Sequence, residues 1–198
     1  AGLRWLLAPP PAPRIVNYRP LTGGSHGRIG RPVTDGERVY FEARDGLETH
    51  QMALAGGVSA PLPRPFYTGY VVDVSKSRSS LLMVGSDDPG AAGREDGPLW
   101  SVPVPAGGAR KLGLDASTAA WSRDGQKLAF IRSGPPSRLG VARGDGSDPS
   151  VLFEPRAGDI LYWVRWSPDG RSLRFGLLDA ETTQGWILEI PSTGGAPR

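Results

Sequence analysis

Residues 166–175 read Trp-Ser-Pro-Asp-Gly-Arg-Ser-Leu-Arg-Phe, and this stretch decides the fold because the chain repeats it. A close copy, Trp-Ser-Arg-Asp-Gly-Gln-Lys-Leu-Ala-Phe, occupies residues 121–130. The two aspartates, Asp124 and Asp169, lie 45 positions apart. A fixed period of about 40 to 45 residues is typical of the blades of a β-propeller.

Two further copies lie nearer the N-terminus. Residues 32–41 contain the Asp-Gly pair at Asp35, which precedes Asp124 by 89 positions, or two periods. The copy expected between them is present in weaker form at residues 74–83, where Ser77-Arg78 replaces Asp-Gly. The sequence therefore contains four copies of one motif.

The residue types that recur in the copies of the motif predict a hairpin between two strands. Asp-Gly between apolar stretches is a strong hairpin signal, because Asp and Gly tolerate the positive φ that such turns require. A Trp lies four positions before the turn glycine in the last two copies, and a Phe follows it in three copies. We interpret these residues as the structural repeat motif: Asp35, Gly36, Phe41, Trp121, Asp124, Gly125, Phe130, Trp166, Asp169, Gly170 and Phe175.

After each turn, two apolar residues are separated by one position. A spacing of two places both side chains on one face of a strand, and the residue between them points to the other face. The apolar pairs are Val39 and Phe41, Leu81 and Met83, Leu128 and Phe130, and Leu173 and Phe175. The intervening residues are Tyr40, Leu82, Ala129 and Arg174.

Each copy is followed by a second apolar segment that ends in a small-residue turn, so each repeat supplies about four strands. The composition agrees, because 28 Gly and 20 Pro interrupt helices and favour many short strands. We predict an all-β propeller of about four four-stranded antiparallel blades in an incomplete ring. The expected blade boundaries are approximately 15–62, 63–111, 112–154 and 155–198.

The motif at residues 166–175 resembles the TolB-like, WD40-like propeller repeat called PD40, and the copy at residues 121–130 is nearly as similar. The resemblance extends more weakly over residues 17–198. The order of segments also resembles membrane-anchored bacterial regulators, in which a cytoplasmic winged-helix domain precedes a membrane helix and a TolB-like propeller. This resemblance implies a periplasmic or extracytoplasmic location and a role in signal transduction.

Residues 1–14 differ from the rest in composition. Leu3, Trp5, Leu6 and Leu7 precede a proline-rich run at residues 9–13, which favours an extended spacer. We interpret this segment as an apolar remnant followed by a linker, with a membrane anchor upstream of residue 1. An ordinary chain terminus is the alternative.

The residues that commonly perform catalysis or bind metals are scarce. The chain has no cysteine, and its two histidines, His26 and His50, are expected in exposed loops. Residues 23–27 resemble a phosphate-binding loop, but no Lys-Ser or Lys-Thr follows them. The repeated aspartates are expected to serve turns rather than a shared site. The sequence therefore predicts no enzyme activity, no cofactor and no metal.

Acidic and basic residues are mixed along the chain, and the formal net charge is only +3. Nucleic-acid grooves need clustered Lys and Arg with stacking aromatic residues, so we expect no direct nucleic-acid contact. The partner is then a protein or a small ligand whose identity the sequence leaves open.

We expect a non-catalytic binding module that forms the sensory or protein-interaction part of a larger membrane-anchored signalling or transcriptional regulator. One alternative is the substrate-gating propeller of a serine peptidase that resembles the prolyl oligopeptidases. Another is a TolB-like periplasmic protein of the cell envelope.

Overall fold

The computed structural model describes residues 14, 18, 20–21, 31–43, 48–75, 77, 79–91 and 96–198. Within these ranges the chain forms fifteen β-strands, and its helical content is one 3-10 turn at Pro89–Ala91. The predicted all-β propeller class is confirmed. This part of the chain contains no helix of the length and apolarity needed to cross a membrane.

The strands form four antiparallel sheets, each made of strands consecutive in the chain. The first sheet contains β1 (Val33–Thr34), β2 (Arg38–Ala43), β3 (Glu48–Ala53) and β4 (Ala60–Leu62). The second contains β5 (Thr68–Ser75), β6 (Ser80–Ser86), β7 (Gly97–Pro103) and β8 (Arg110–Ala116). The third contains β9 (Thr118–Trp121), β10 (Lys127–Arg132), β11 (Arg138–Arg143) and β12 (Ser150–Phe153). The fourth contains β13 (Ile160–Trp166), β14 (Ser172–Leu178) and β15 (Gly185–Pro191).

The fourth sheet differs from the expected four strands, because only three are formed by its described residues. Its outer strand β15 nevertheless has a backbone partner at Glu189. The Glu189 N–H donates to the Arg198 carbonyl at 2.9 Å, and the Arg198 N–H donates to the Glu189 carbonyl at 2.9 Å. These two bonds begin antiparallel pairing where the other sheets carry their fourth strand.

The first strands of successive sheets lie against one another, β1 against β5, β5 against β9 and β9 against β13. The four sheets are therefore arranged as blades around the edge formed by their first strands. The strand β8 runs across the boundary expected between residues 111 and 112, so the second blade continues to Ala116. Apart from Arg14, the interpreted remnant and linker at residues 1–14 lie outside the described residues.

The alternation of side chains explains how the blades stack. Each blade has a backward face toward the preceding blade and a forward face toward the following one. The motif residues Leu128 and Phe130 lie on a backward face and are 0% and 3% exposed. They pack against Leu82 on the forward face of the second blade. Ala129, between them in sequence, packs instead against the fourth blade.

The same arrangement holds at both other interfaces. Tyr40 on the first blade packs against Leu81 and Met83 of the second. Leu173 and Phe175, both 0% exposed, form the backward face of the fourth blade. Arg174, the residue between them, is on that blade's forward face, where its side chain is 54% exposed and pairs with Glu189 at 3.1 Å. The apolar clusters that contain these residues therefore lie between the blades, and a smaller cluster around Phe41 lies on the backward face of the first blade.

Candidate binding site

The Asp-Gly turns owe their shape to a side-chain hydrogen bond as well as to glycine. In the third blade, the Ser122 hydroxyl donates to Asp124 Oδ1 at 2.6 Å, and the Gln126 N–H donates to the same oxygen at 3.0 Å. Gly125 has φ 71°, whereas Asp124 is not among the residues with positive φ. The glycine therefore supplies the positive φ of this turn, and the carboxylate of Asp124 holds the turn by accepting both hydrogen bonds.

The fourth blade repeats this geometry. The Ser167 hydroxyl donates to Asp169 Oδ1 at 2.6 Å, the Arg171 N–H donates at 3.1 Å, and Gly170 has φ 71°. The hydrogen bond from the serine is the main reason that the pKa values of Asp124 and Asp169 are lowered. Both turns therefore carry ionised carboxylates at neutral pH.

The first blade uses its aspartate differently. Asp35 Oδ1 accepts hydrogen bonds from the backbone N–H groups of Glu37 and Arg38, each at 2.8 Å. The Tyr40 hydroxyl donates to Asp35 Oδ2 at 3.0 Å, and burial is the main cause of the raised pKa of Tyr40. Gly36 has φ 93°, so here too the glycine adopts the left-handed conformation.

The second blade replaces the aspartate with a serine pair. The hydroxyls of Ser75 and Ser77 lie 3.1 Å apart, at the positions that Ser122 and Asp124 occupy in the third blade. Ser79, one residue after the position of the turn glycine, has φ 46°. Arg78, which replaces the turn glycine, lies outside the described residues.

The aromatic motif residues are packed inside the molecule, Phe130 and Phe175 between blades and Phe41 on the backward face of the first blade. Phe41, Phe130 and Phe175 are 2%, 3% and 0% exposed. Trp121 is buried, and its Nε1 donates to the Gly144 carbonyl at 2.9 Å within its own blade. Trp166 is only half-buried, and its Nε1 donates to the Ala120 carbonyl of the preceding blade at 3.0 Å.

The turns of the third and fourth blades border an open groove of about 520 Å³, which we call the turn groove. Trp166 contributes aromatic surface to it, and two basic and two acidic side chains surround that surface. The turn groove is lined by Ser122, Arg123, Asp124, Lys127, Trp166, Pro168, Asp169 and Gly170. An aromatic surface with charges of both signs suits the binding of an amphipathic segment.

Two further carboxylates connect neighbouring blades near their first strands. Asp73 Oδ2 accepts the backbone N–H of Trp121 at 2.8 Å, and burial raises the pKa of Asp73 although nearby Arg165 opposes this effect. Arg165 itself donates to the Val72 carbonyl at 3.1 Å, which joins the fourth blade to the second. The position of Asp73 within an apolar strand is the only sequence signal that could have singled it out.

Glu42 is the second such carboxylate, and sequence reasoning missed it. Its side chain is 3% exposed and accepts the backbone N–H of Val71 on the next blade. Burial raises the pKa of Glu42 to about 7. A charged residue inside the apolar stretch 39–43 was the available signal.

His50 was expected in an exposed loop, and this expectation is wrong. It lies on β3 and is 8% exposed, because it stacks on Phe41 with ring centroids 5.8 Å apart. Its Nε2 lies 2.9 Å from Glu48 Oε2. His26 lies outside the described residues.

Residues 23–27 also lie outside the described residues. They read Gly-Gly-Ser-His-Gly and so fit the Gly-x-Ser-x-Gly pattern of a serine nucleophile elbow. That pattern indicates a nucleophile only on a sharp turn between a strand and a helix. Among the side chains that the structure describes, no group of three or more His, Cys, Asp or Glu could hold a metal ion.

Comparison with solved structures reveals propellers of the same kind. A TolB structure from Agrobacterium tumefaciens matches with a TM-score of 0.68 at 16% identity, covering 83% of this chain and 61% of that chain. TolB from Acinetobacter baumannii matches with a TM-score of 0.63 at 16% identity, over 82% and 40%. An oligogalacturonate lyase in complex with manganese matches with a TM-score of 0.56 at 16% identity, over 83% and 50%.

The chain thus spans less than two thirds of each of these proteins. No family model and no curated protein matches the sequence. Identities of 16% bear on the fold alone, and the neighbours include both TolB proteins and an enzyme. The chain has the fold of a TolB-like β-propeller.

Proposed function

We propose that this propeller is a non-catalytic binding module, and that the turn groove holds a segment of a partner protein. The observation that carries the proposal is the half-buried Trp166 between the two Asp-Gly turns, with charges of both signs around it. Trp and Arg are enriched at the energetic centres of protein interfaces, and Arg123 lines the same groove.

The charges of the turn groove favour a partner that carries an acidic side chain. The Oδ1 atoms of Asp124 and Asp169 already accept two hydrogen bonds each within their own turns. Arg123 and Lys127 are exposed side chains of the third blade, and a partner carboxylate can approach both. The partner segment therefore places an apolar group on Trp166 and an acidic group toward these cations.

Site-specific photo-crosslinking in the native host tests this assignment. A photoreactive amino acid in place of Pro168 in the parent protein captures whatever occupies the turn groove. We expect Arg123→Glu to reduce the crosslinked product at least tenfold, because it repels an acidic partner. Arg110→Glu reverses another exposed charge, on β8 and outside the groove, and leaves the product unchanged. Equal crosslinking in both variants contradicts the proposal.

The non-catalytic part of the proposal has its own test at Ser25. A fluorophosphonate probe labels activated serine nucleophiles, and we expect no labelling of the parent protein that depends on Ser25. Labelling that Ser25→Ala abolishes would show a serine hydrolase instead.

We further propose that the module belongs to a larger membrane-anchored regulator and lies outside the cytoplasm. The support is the apolar and proline-rich composition of residues 1–14 and the likeness of the segment order to such regulators. The parent sequence tests this, because the proposal requires a membrane helix upstream. A downstream hydrolase domain would favour the peptidase alternative, and a cleaved signal peptide would favour the envelope alternative.

A further inference from the structure

The interface between the first and second blades differs from the two that follow it. In each of the first three blades, the residue of the second strand that directly follows the motif pairs with a residue of the third strand. Both side chains of this pair lie on the forward face of the blade. The second and third blades fill this position with aliphatic pairs, and the first blade fills it with polar residues. The pairs are Glu42 with Thr49, Val84 with Leu99, and Ile131 with Leu139.

Thr49 occupies the place of two fully buried leucines. Leu99 and Leu139 are each 0% exposed and contribute to the apolar cores of their interfaces. Thr49 is 2% exposed, and its Oγ1 has no hydrogen-bond partner among the described residues. Two positions along the same face of β3, Gln51 Oε1 is also buried and has no hydrogen-bond partner in the part of the chain that the structure describes. An unpaired buried polar group costs about 1 to 3 kcal/mol, so this placement calls for an explanation.

A cavity of about 170 Å³ adjoins Thr49, where the other blades have leucine side chains. Leu62 of the first blade and Leu81, Met83 and Val102 of the second contribute to its walls. The turn that follows β7 closes one side with residues 104–107. None of the described residues that line this cavity is charged, and Thr49 is the one among them that carries a side-chain hydroxyl.

We propose that this interblade cavity is a binding site for a small uncharged apolar molecule that carries one hydroxyl group, which hydrogen-bonds Thr49. An apolar cavity of about 150 Å³ is large enough to hold benzene, so a cavity of this size accepts a ligand of a single ring. The ligand hydroxyl completes the hydrogen bonding of Thr49, which the apolar walls cannot do. This site lies between the first two blades and is independent of the turn groove.

Phenol and toluene test the site directly, because they have nearly the same shape and only phenol carries a hydroxyl. Methyl NMR spectra of the full chain are recorded during titration with each probe. We expect saturable shifts at Met83 and Leu81, with phenol binding about five-fold more tightly than toluene, which corresponds to one net hydrogen bond. Thr49→Val keeps the shape of the side chain and removes the hydroxyl, so it abolishes the preference for phenol and favours toluene, because the phenol hydroxyl is then buried without a partner.

Thr49→Leu is the matched control, since it introduces the residue that the next two blades have at this position. It fills the cavity, and we expect it to abolish the binding of both probes. Saturable binding that persists unchanged in Thr49→Leu, or equal affinity of the wild-type chain for both probes, overturns the proposal. So does a wild-type chain that binds neither probe, which would show that water alone occupies the cavity. Should Thr49→Leu fail to fold, the loss of preference in Thr49→Val decides the question. Crosslinking at Pro168 reports on the turn groove separately.

Discussion

The carboxyl group of Glu42 responds to pH because the interface between the first two blades removes it from water. Burial raises its pKa from 4.5 to about 7, while the Val71 N–H and Arg64 act in the opposite direction. Between these two pH values the folded chain binds more protons than the unfolded chain. The stability contributed by the protonated group is therefore complete below about pH 4.5 and is lost as the pH rises through 7. Asp73, whose pKa burial also raises, adds to the same trend.

Glu42→Gln is expected to flatten this dependence, because an amide has no proton to lose. For the wild-type chain, the free energy of unfolding in urea should fall by roughly 3 kcal/mol between pH 5 and pH 8, at 1.36 kcal/mol per pKa unit. The variant should lose clearly less over the same range. Glu37→Gln changes an exposed glutamate of the same hairpin and should retain the wild-type slope. Equal slopes in all three proteins would show that Glu42 titrates as if in water.

At this scale the sequence predicts the apolar motif residues well and the buried polar ones poorly. The burial of Leu128 and Phe175 could be predicted because apolar residues recur at their two positions in all four copies of the motif. Glu42 and His50 interrupt that repeat, and their burial depends on groups that only the folded chain brings together, Val71 for one and Phe41 for the other. No local pattern contains that information.

At the scale of the hairpin, the turn glycine adopts a backbone conformation that other residues resist. Gly170 has φ +71°, and a Cβ at this position would meet nothing within 4 Å. Any cost of adding a methyl group therefore comes from the backbone. Gly108, in the turn between β7 and β8, also has open space around it, and its φ lies outside the left-handed region. These two glycines form a matched pair.

Gly170→Ala should lower the free energy of unfolding by about 1 to 2 kcal/mol, the cost of the left-handed conformation for a residue with a Cβ. Gly108→Ala should be neutral or should stabilise the chain by up to about 1 kcal/mol, because it restricts the unfolded chain. Both values come from urea denaturation at one pH. A Gly170→Ala variant as stable as Gly108→Ala would be incompatible with the described turn.

The sequence located all four first hairpins, but it could not reveal how each turn is held. The Asp-Gly pair indicates a turn with a left-handed residue, and the structure has that residue at Gly36, Gly125 and Gly170. The bond from serine to aspartate could not be read from the pair alone. The second blade shows why, since its turn has a contact between the hydroxyls of Ser75 and Ser77 and no aspartate.

On the scale of the whole molecule, stability comes from the stacking of one blade's forward face on the next blade's backward face. The fourth blade tests this account because its two faces differ. Its backward face buries Leu173 completely against the third blade, whereas Ile187 on its forward face is 75% exposed. Ile187 pairs with Gly176, three positions along β14 from the buried pair of Leu173 and Ile190. An odd separation along a strand places the two pairs on opposite faces of the sheet.

Leu173→Ala should cost about 2 to 5 kcal/mol of unfolding free energy, because it leaves a cavity in a packed interface. Ile187→Ala should change this free energy by less than about 0.5 kcal/mol, because the side chain is in contact with water before and after unfolding. Equal losses would mean that the forward face of the fourth blade is covered in solution. If the effect of Ile187→Ala then depends on protein concentration, a second copy of the chain covers this face. If the effect does not depend on protein concentration, another part of the same chain covers it. Either result would show that packing continues beyond the fourth sheet.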